Sequence, residues 1–360
     1  MDMPTNSSLG LRKARGDMSE LPSPIARTGS SLDLKRVNLA LQGGGSHGAF
    51  TWGVLDRLLE DERIAFEGIS AASAGAINAA VLACGLAEGG RQGAKRALTK
   101  LWRRIAHLSS LTPLQPSLAD RLSGNHSLDA SPAFMLFDLV TRLFSPYQFN
   151  PFNYNPLRQV LTETVDFRAL RSGHCPVKLF LSATNVRTGK IKVFQNDEIG
   201  PDAVLASACL PLMFQAVEID GEHYWSAGTW AIRDVVIIHI NPLERATLPT
   251  TASEIMNRIN EISFNSSLMR EMRTIAFVTK LIDDGKILEN PMKRMLIHGT
   301  DAADVMAELG ALNKLNADWD NLNHLMKVER ERTEAWLKQN FGRLGEESTV
   351  DIREEFLRPS

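Results

Sequence analysis

Two short stretches of this 360-residue chain hold residue types and spacings that suit nucleophilic chemistry. They are Gly43-Gly44-Gly45-Ser46-His47-Gly48 and Ala71-Ala72-Ser73-Ala74-Gly75, and each follows an apolar run. A serine on a sharp strand-to-helix turn has its hydroxyl exposed at the sheet edge, and the helix behind it favours developing negative charge. Small neighbours at Ala71 and Gly75 let the backbones pack closely. Adjacent glycine N–H groups are what an oxyanion hole requires. Each stretch also has a plainer reading. The glycine stretch fits G-x-G-x-x-G, and Glu67 stands at the distance at which a dinucleotide site needs its acid. Glu67 falls near the start of its strand, however, and the serine turn occupies the strand end. A serine among small residues can also serve packing alone. Two such turns at successive strand ends favour Ser73 as a nucleophile.

The elements that must position these turns are legible from the apolar pattern. Val37–Leu41 is short, apolar and stopped by the three glycines, as a buried parallel strand would be. Phe50–Leu59 reads as a helix, Phe66–Ala71 as a second strand and Ala74–Cys84 as an Ala-rich helix. Further strands are expected at Val177–Ala183, Ile191–Phe194, Ala216–Ile219 and Val235–Ile240, with Asp220-Gly221 as a hairpin turn. Strand, turn and helix in alternation predict an α/β fold with a mainly parallel sheet. After Thr250 the chain turns helical, with Ile255, Ile259, Ile262, Met269, Met272 and Ala276 expected on one buried face. A last helix over Ala317–Phe341 carries Trp319, Leu322, Met326 and Trp336 on its apolar side.

This gives a tail over 1–34, a core over 35–245 and a helical extension over 246–360. The tail holds 14 Gly, Pro, Ser or Thr and no apolar period, so it is expected to be disordered. An insertion at about 108–160 concentrates seven of the chain's 24 aromatics between Phe134 and Tyr154. It reads equally as a lid or acyl-chain groove and as a satellite hydrophobic cluster. Within Lys95–His107, the cations Arg96, Lys100, Arg103, Arg104 and His107 oppose Leu98, Leu101, Trp102 and Ile105. Such a helix suits an anionic lipid surface, although an ordinary surface helix docked on the sheet is the simpler reading.

Composition sets outer bounds. A hydrophobic share of 44% and a charged share of 23% describe an ordinary globular chain. A net charge of −2 argues against a general nucleic-acid binder. Cys84, Cys175 and Cys209 form neither a disulfide framework nor a zinc spacing and read as small apolar residues in a reducing compartment. The most apolar run, Ile69–Cys84, is short of a membrane span. The N-terminus lacks a secretory pattern, so a soluble, cytoplasmic protein is expected.

Five stretches in consistent order, Leu39–Leu55, Glu67–Ala83, Leu181–Lys190, Ala206–Trp225 and His239–Pro242, resemble the bacterial branch of the patatin-like phospholipases. The resemblance implies a three-layer α/β/α sandwich and a Ser–Asp dyad without a catalytic histidine. It also implies hydrolysis of lipid acyl esters without metal or cofactor, by an enzyme that meets phospholipid and contacts membranes only peripherally. Carried over, Ser73 is the nucleophile and the Gly43, Gly44 and Gly45 N–H groups hold the oxyanion. The oligomeric state is left open.

The sequence departs from that pattern at two places. Ala71 replaces the glycine that usually opens the nucleophile turn, and Ser226 stands where the dyad aspartate is expected. The block usually found before the next strand is missing, so the chain runs almost directly to Arg233-Asp234-Val235. A serine hydroxyl needs a base, and another hydroxyl does not supply one. Asp220 reads as a turn residue and Asp234 as a strand start, while His47 and His223 are the remaining candidates near the motifs. A catalytically impaired protein that binds lipid or a partner is therefore the competing expectation.

Overall fold

Along Val37–Leu41, residues pointing to both sides are buried, and only the centre of a sheet covered on both faces accommodates such a run. The computed structural model describes residues 34–112, 131–226, 235–245, 248–287, 294–301 and 314–358. In chain order the strands are β1 (Lys35–Leu41), β2 (Ile64–Ala71), β3 (Lys178–Asn185), β4 (Ile191–Gln195), β5 (Val217–Ile219), β6 (Glu222–Ser226), β7 (Val235–His239) and β8 (Ile297–Asp301). The helices of the first half are α1 (Gly48–Leu58), α2 (Ala74–Ser110), α3 (Pro132–Leu143), α4 (Pro146–Phe149), α5 (Pro156–Thr164) and α6 (Phe167–Arg171). Those of the second half are α7 (Pro201–Ala208), α8 (Ala252–Asp283), α9 (Trp319–Asn340) and α10 (Ile352–Phe356).

The eight strands form one sheet. β1 pairs in parallel with β2 and β7, β2 with β3, and β7 with β8. β4 and the β5–β6 hairpin join antiparallel. The register around β3 fixes an arrangement that matters below. Leu181 pairs with Ala71 and with Phe194, and Ala183 pairs with Ser226 and with Lys192. A strand residue has one ladder neighbour on each edge. β2 and then β6 therefore lie along one edge of β3, with β4 along the other. The hairpin turn is Asp220-Gly221, both at positive φ (52° and 77°), as expected for a tight two-residue loop.

The two faces carry separate cores. Leu39, Leu41, Val236 and Ile238 pack with α1, α2, α7 and α9. Ala40, Val235, Ile237 and Ile297 pack with Leu268 and Met272 of α8 and Phe356 of α10. The result is three layers, as the alternation of elements predicts.

Four details differ from the sequence reading. The Ala-rich helix continues to Ser110 through a break at Gly89-Gly90, and its second half folds back antiparallel to its first. Gly85 lies against Ala94, and Trp102 Nε1 donates to Asn78 Oδ1 at 3.1 Å. The extension is not wholly helical, because β8 extends the parallel sheet beyond β7. In the first half of α8 the buried stripe is Asn257, Glu261 and Asn265, while Ile255, Ile259 and Ile262 face outward. Polar partners across the sheet edge, described next, select that face. Lastly, Cys84 and Cys209 are buried as expected, but Cys175 is only half-buried, and all three are free thiols. The proposed tail, residues 113–130 of the insertion, and Asp234 lie outside the described residues.

Candidate functional site

Ser73 joins β2 to α2 with φ 55° and ψ −128°, a conformation that L-residues rarely adopt. It is held there from three sides. Its N–H donates to both the carbonyl and the hydroxyl of Ser207, each at 3.1 Å. Its carbonyl accepts from Ala76 N at 2.9 Å, and the preceding Ala72 N–H donates to Leu41 O at 3.2 Å. Ser73 is 5% exposed, and Gly43 lies directly against it. A Cβ added to Gly43 would stand 2.4 Å from Ser73 Cβ and 3.0 Å from its Oγ. Only glycine lets the two turns meet so closely. Ala71, the residue at the unusual position, is the fully buried last residue of β2, so its methyl is accommodated in the core.

The glycine turn is braced from below. Gly45 sits at φ 60°, with Lys314 O where a Cβ would go. Ser46 Oγ donates to the same carbonyl at 2.7 Å. Gln42 Oε1 accepts from Ile240 N and Asn241 N, both at 2.8 Å, and Asn241 Nδ2 donates to Gly43 O at 2.9 Å. Lys314 Nζ donates to Asn241 Oδ1 at 2.9 Å, and Gln42 Nε2 donates to Asn265 Oδ1 at 3.0 Å. Glu261 completes this layer through Arg245 (2.9 Å), Arg258 and Asn257. Burial alone would raise the Glu261 carboxyl, but Arg245 and Lys314 hold it below the usual carboxylate range. Burial pulls the Lys314 ammonium down to about 8 against the attraction of Glu261. Asn257, Glu261, Asn265 and Lys314 do not stand out in the sequence, whereas Asn241 falls in the stretch His239–Pro242. The one available signal was a polar residue every fourth position on α8, at 257, 261 and 265.

With its peptide ends fixed in this way, the turn presents the Gly43, Gly44 and Gly45 N–H groups, which make no hydrogen bond to a described residue.

The candidates for the base fare differently. Ser226 ends β6, two residues along β3 from Ala71, or roughly 7 Å at the usual strand rise. Its N–H donates to Cys209 O at 2.9 Å, two residues beyond the Ser207 that holds Ser73. Its Oγ is buried without a partner among the described residues. The structure thus brings Ser73, Gly43 and Ser226 to one place, and the described partners of Ser73 include no carboxylate. His47 is buried in the glycine turn, both ring nitrogens unbonded. Burial, with Lys314 nearby, lowers it to about 3, so it is a neutral ring and too weak a base. His223 is on the exposed side of β6, 4.0 Å from Glu218 across the hairpin. Asp220 is a turn residue. Glu67, the acid that a dinucleotide site would need, faces Arg36 at 3.4 Å well before the end of β2.

Comparison with known proteins agrees with the fold and the order of the motifs. The family model described as patatin-like phospholipase matches residues 39–240. No curated protein sequence matches the chain. Among solved structures, VipD from Legionella pneumophila is similar at 15% identity and a TM-score of 0.41, over 90% of this chain and 73% of VipD. ExoU from Pseudomonas aeruginosa, in its heterodimeric complex with SpcU, is similar at 15% identity and a TM-score of 0.35, over 87% of this chain. The chain spans about half the length of ExoU, 52%. The matched segment runs from the strand before the glycine turn to the residue after β7 and so contains both turns and Ser226. The chain belongs to the patatin-like phospholipase family, a family of lipid hydrolases.

Proposed function

We propose that this protein cleaves fatty-acyl esters of lipids, with Ser73 as nucleophile and the amides of Gly43, Gly44 and Gly45 as oxyanion hole. The observation that supports this reading best is the φ of 55° at Ser73 on the β2–α2 turn, directly against Gly43. Ser73 Oγ bonds to the acyl carbon, the tetrahedral oxyanion collapses, and the alcohol portion of the lipid leaves with a proton. Water then cleaves the acyl-enzyme and releases the fatty acid. The chemistry needs neither metal nor cofactor. The reading assigns residues 35–245 to the catalytic core, with 246–360 as an extension that shares its sheet and its buried polar layer.

Ser226 favours a second reading, a member that binds lipid or a partner with little or no turnover. A short-chain nitrophenyl ester and a fluorophosphonate probe separate the two. On the first reading the parent is labelled at Ser73, and Ser73→Ala lowers turnover by about 10³-fold or more. Absence of both labelling and turnover in the parent rejects it in favour of the second. A gain of turnover in Ser226→Asp identifies the carboxylate as the missing group.

A further inference from the structure

Part of the exposed apolar surface, including its most exposed side chain Phe152, gathers at one end of the molecule, and hydrogen bonds place that end. The two halves of α2 are antiparallel, with Gly85 level with Ala94 and Asn78 with Trp102. Ser73, just before α2, is therefore at the same end as Leu111, just after it. Helix α5 lies antiparallel to the second half. Glu163 meets Lys100 and Arg104, whereas Asp166 N–H, three residues on, donates back to Cys84 Sγ at 3.2 Å. The start of α5, and with it Phe152 and Tyr154, thus lies toward Leu111. Gln215 Nε2 donates to Asn150 O at 2.8 Å, and Ala216 N to the Tyr147 hydroxyl at 3.3 Å. These bonds tie the aromatic segment to the loop after Cys209, which carries Leu212. Phe152 is 95% exposed, Leu111 72% and Leu212 54%. Helix α3, which precedes this segment in the chain, also exposes Leu136 and Leu139.

Between Ser131 and Asn155 there are two charged residues, Asp138 and Arg142, of opposite sign. Beside this uncharged end runs a cationic stripe. Arg96, Lys100, Arg103 and His107 recur at helical spacing on the exposed side of α2. They line an open groove of about 560 Å³ that includes none of the residues around Ser73. Lys95 and Arg104 are paired with acids, but Arg96, Lys100 and Arg103 form no ion pair with a described residue. An uncharged apolar tip flanked by cations is complementary to hydrocarbon beneath anionic head groups.

We infer that this end docks on an anionic phospholipid bilayer, with Phe152, Tyr154 and Leu111 entering the interface and the nearer part of the stripe, Lys100, Arg103 and His107, meeting the head groups. The inference rests on the lipid-hydrolase reading for its purpose: it sets the mouth beside Ser73 against the substrate's own surface. Its test is independent of turnover, because binding is measured on full-length Ser73→Ala.

That protein should sediment with phosphatidylcholine vesicles and more strongly with vesicles that also contain phosphatidylserine. Phe152→Ser with Tyr154→Ser should lower partitioning onto both about tenfold or more. Lys100→Gln and Arg103→Gln should each lower it about fivefold, on the phosphatidylserine vesicles only. Unchanged thermal midpoints in both pairs exclude loss of fold. Failure of the Ser73→Ala protein to sediment with either vesicle overturns the inference. So does vesicle binding unaltered by the variants, or a dimer in sedimentation equilibrium that the aromatic pair abolishes while vesicle binding persists. A docking failure with Ser73 labelling intact leaves the hydrolase reading standing, and the reverse result leaves docking standing.

Discussion

His47 is held neutral in the glycine turn, with no hydrogen bond from a described residue to either ring nitrogen, and this has a thermodynamic signature. Its folded pKa, about 3, lies below the ordinary 6.5. As pH falls through 6.5 the unfolded chain takes up a proton that the folded one refuses, so stability is lost on acidification. Between pH 7 and 5 this amounts to on the order of 2 kcal/mol. His298, lowered to about 4 by burial and by Arg343, adds in the same direction. His47→Leu should therefore flatten the fall of the thermal midpoint over that range without abolishing it. A slope equal to the parent's would show that His47 is not neutral in the fold. At this scale the sequence was informative where chemistry demands small residues in a row. The two turns that carry Gly43–Gly45 and Ser73 could be read from their runs of small residues after apolar strands. Lys314 could not, because an isolated polar residue 268 positions from Ser46 carries no local mark of burial.

Periodicity served the elements well in place and poorly in orientation. The helix over Ala252–Asp283 was expected from its apolar residues, yet the first half turns Asn257, Glu261 and Asn265 inward. The reason lies in what they meet. Gln42, Arg245, Arg258 and Lys314 need partners out of water, and an unpaired buried charge costs more than three exposed isoleucines. In denaturant unfolding, Ile259→Ser should change stability by less than about 0.5 kcal/mol. Leu268→Ala, farther along the same helix and fully buried, should cost about 2 to 4 kcal/mol. Comparable losses at the two positions would contradict the observed orientation. β8 escaped notice for a related cause: five residues reading Ile-His-Gly-Thr-Asp hold too little apolar pattern to announce a strand.

At the scale of the whole molecule, the division at 245 marks a change in sequence character rather than a structural seam. β8 covers the edge of β7, α8 and α10 cover one sheet face, and α9 packs Leu322 and Leu325 into the same core as α1. A chain ending at residue 245 would expose a parallel edge and most of one face. It should be recovered largely as aggregate, and the full chain should resist protease better; a soluble fragment with a cooperative melt would argue against this. The strands β1, β2, β3 and β7 were accessible from sequence because each holds a short apolar run, and β1 and β2 are also ended by small residues. The completion of the sheet was not, since it depends on contacts between distant segments.

β3 shares one edge between β2 and β6, and this makes it a ruler. The positions of residues 73 and 226 are both counted off along a single strand, by main-chain bonds that do not depend on the side chain at either place. Evolution can therefore exchange what stands at 226, acid or hydroxyl, while the seat itself stays where it is. A side chain exchanged at 226 therefore leaves its own place on the sheet undisturbed.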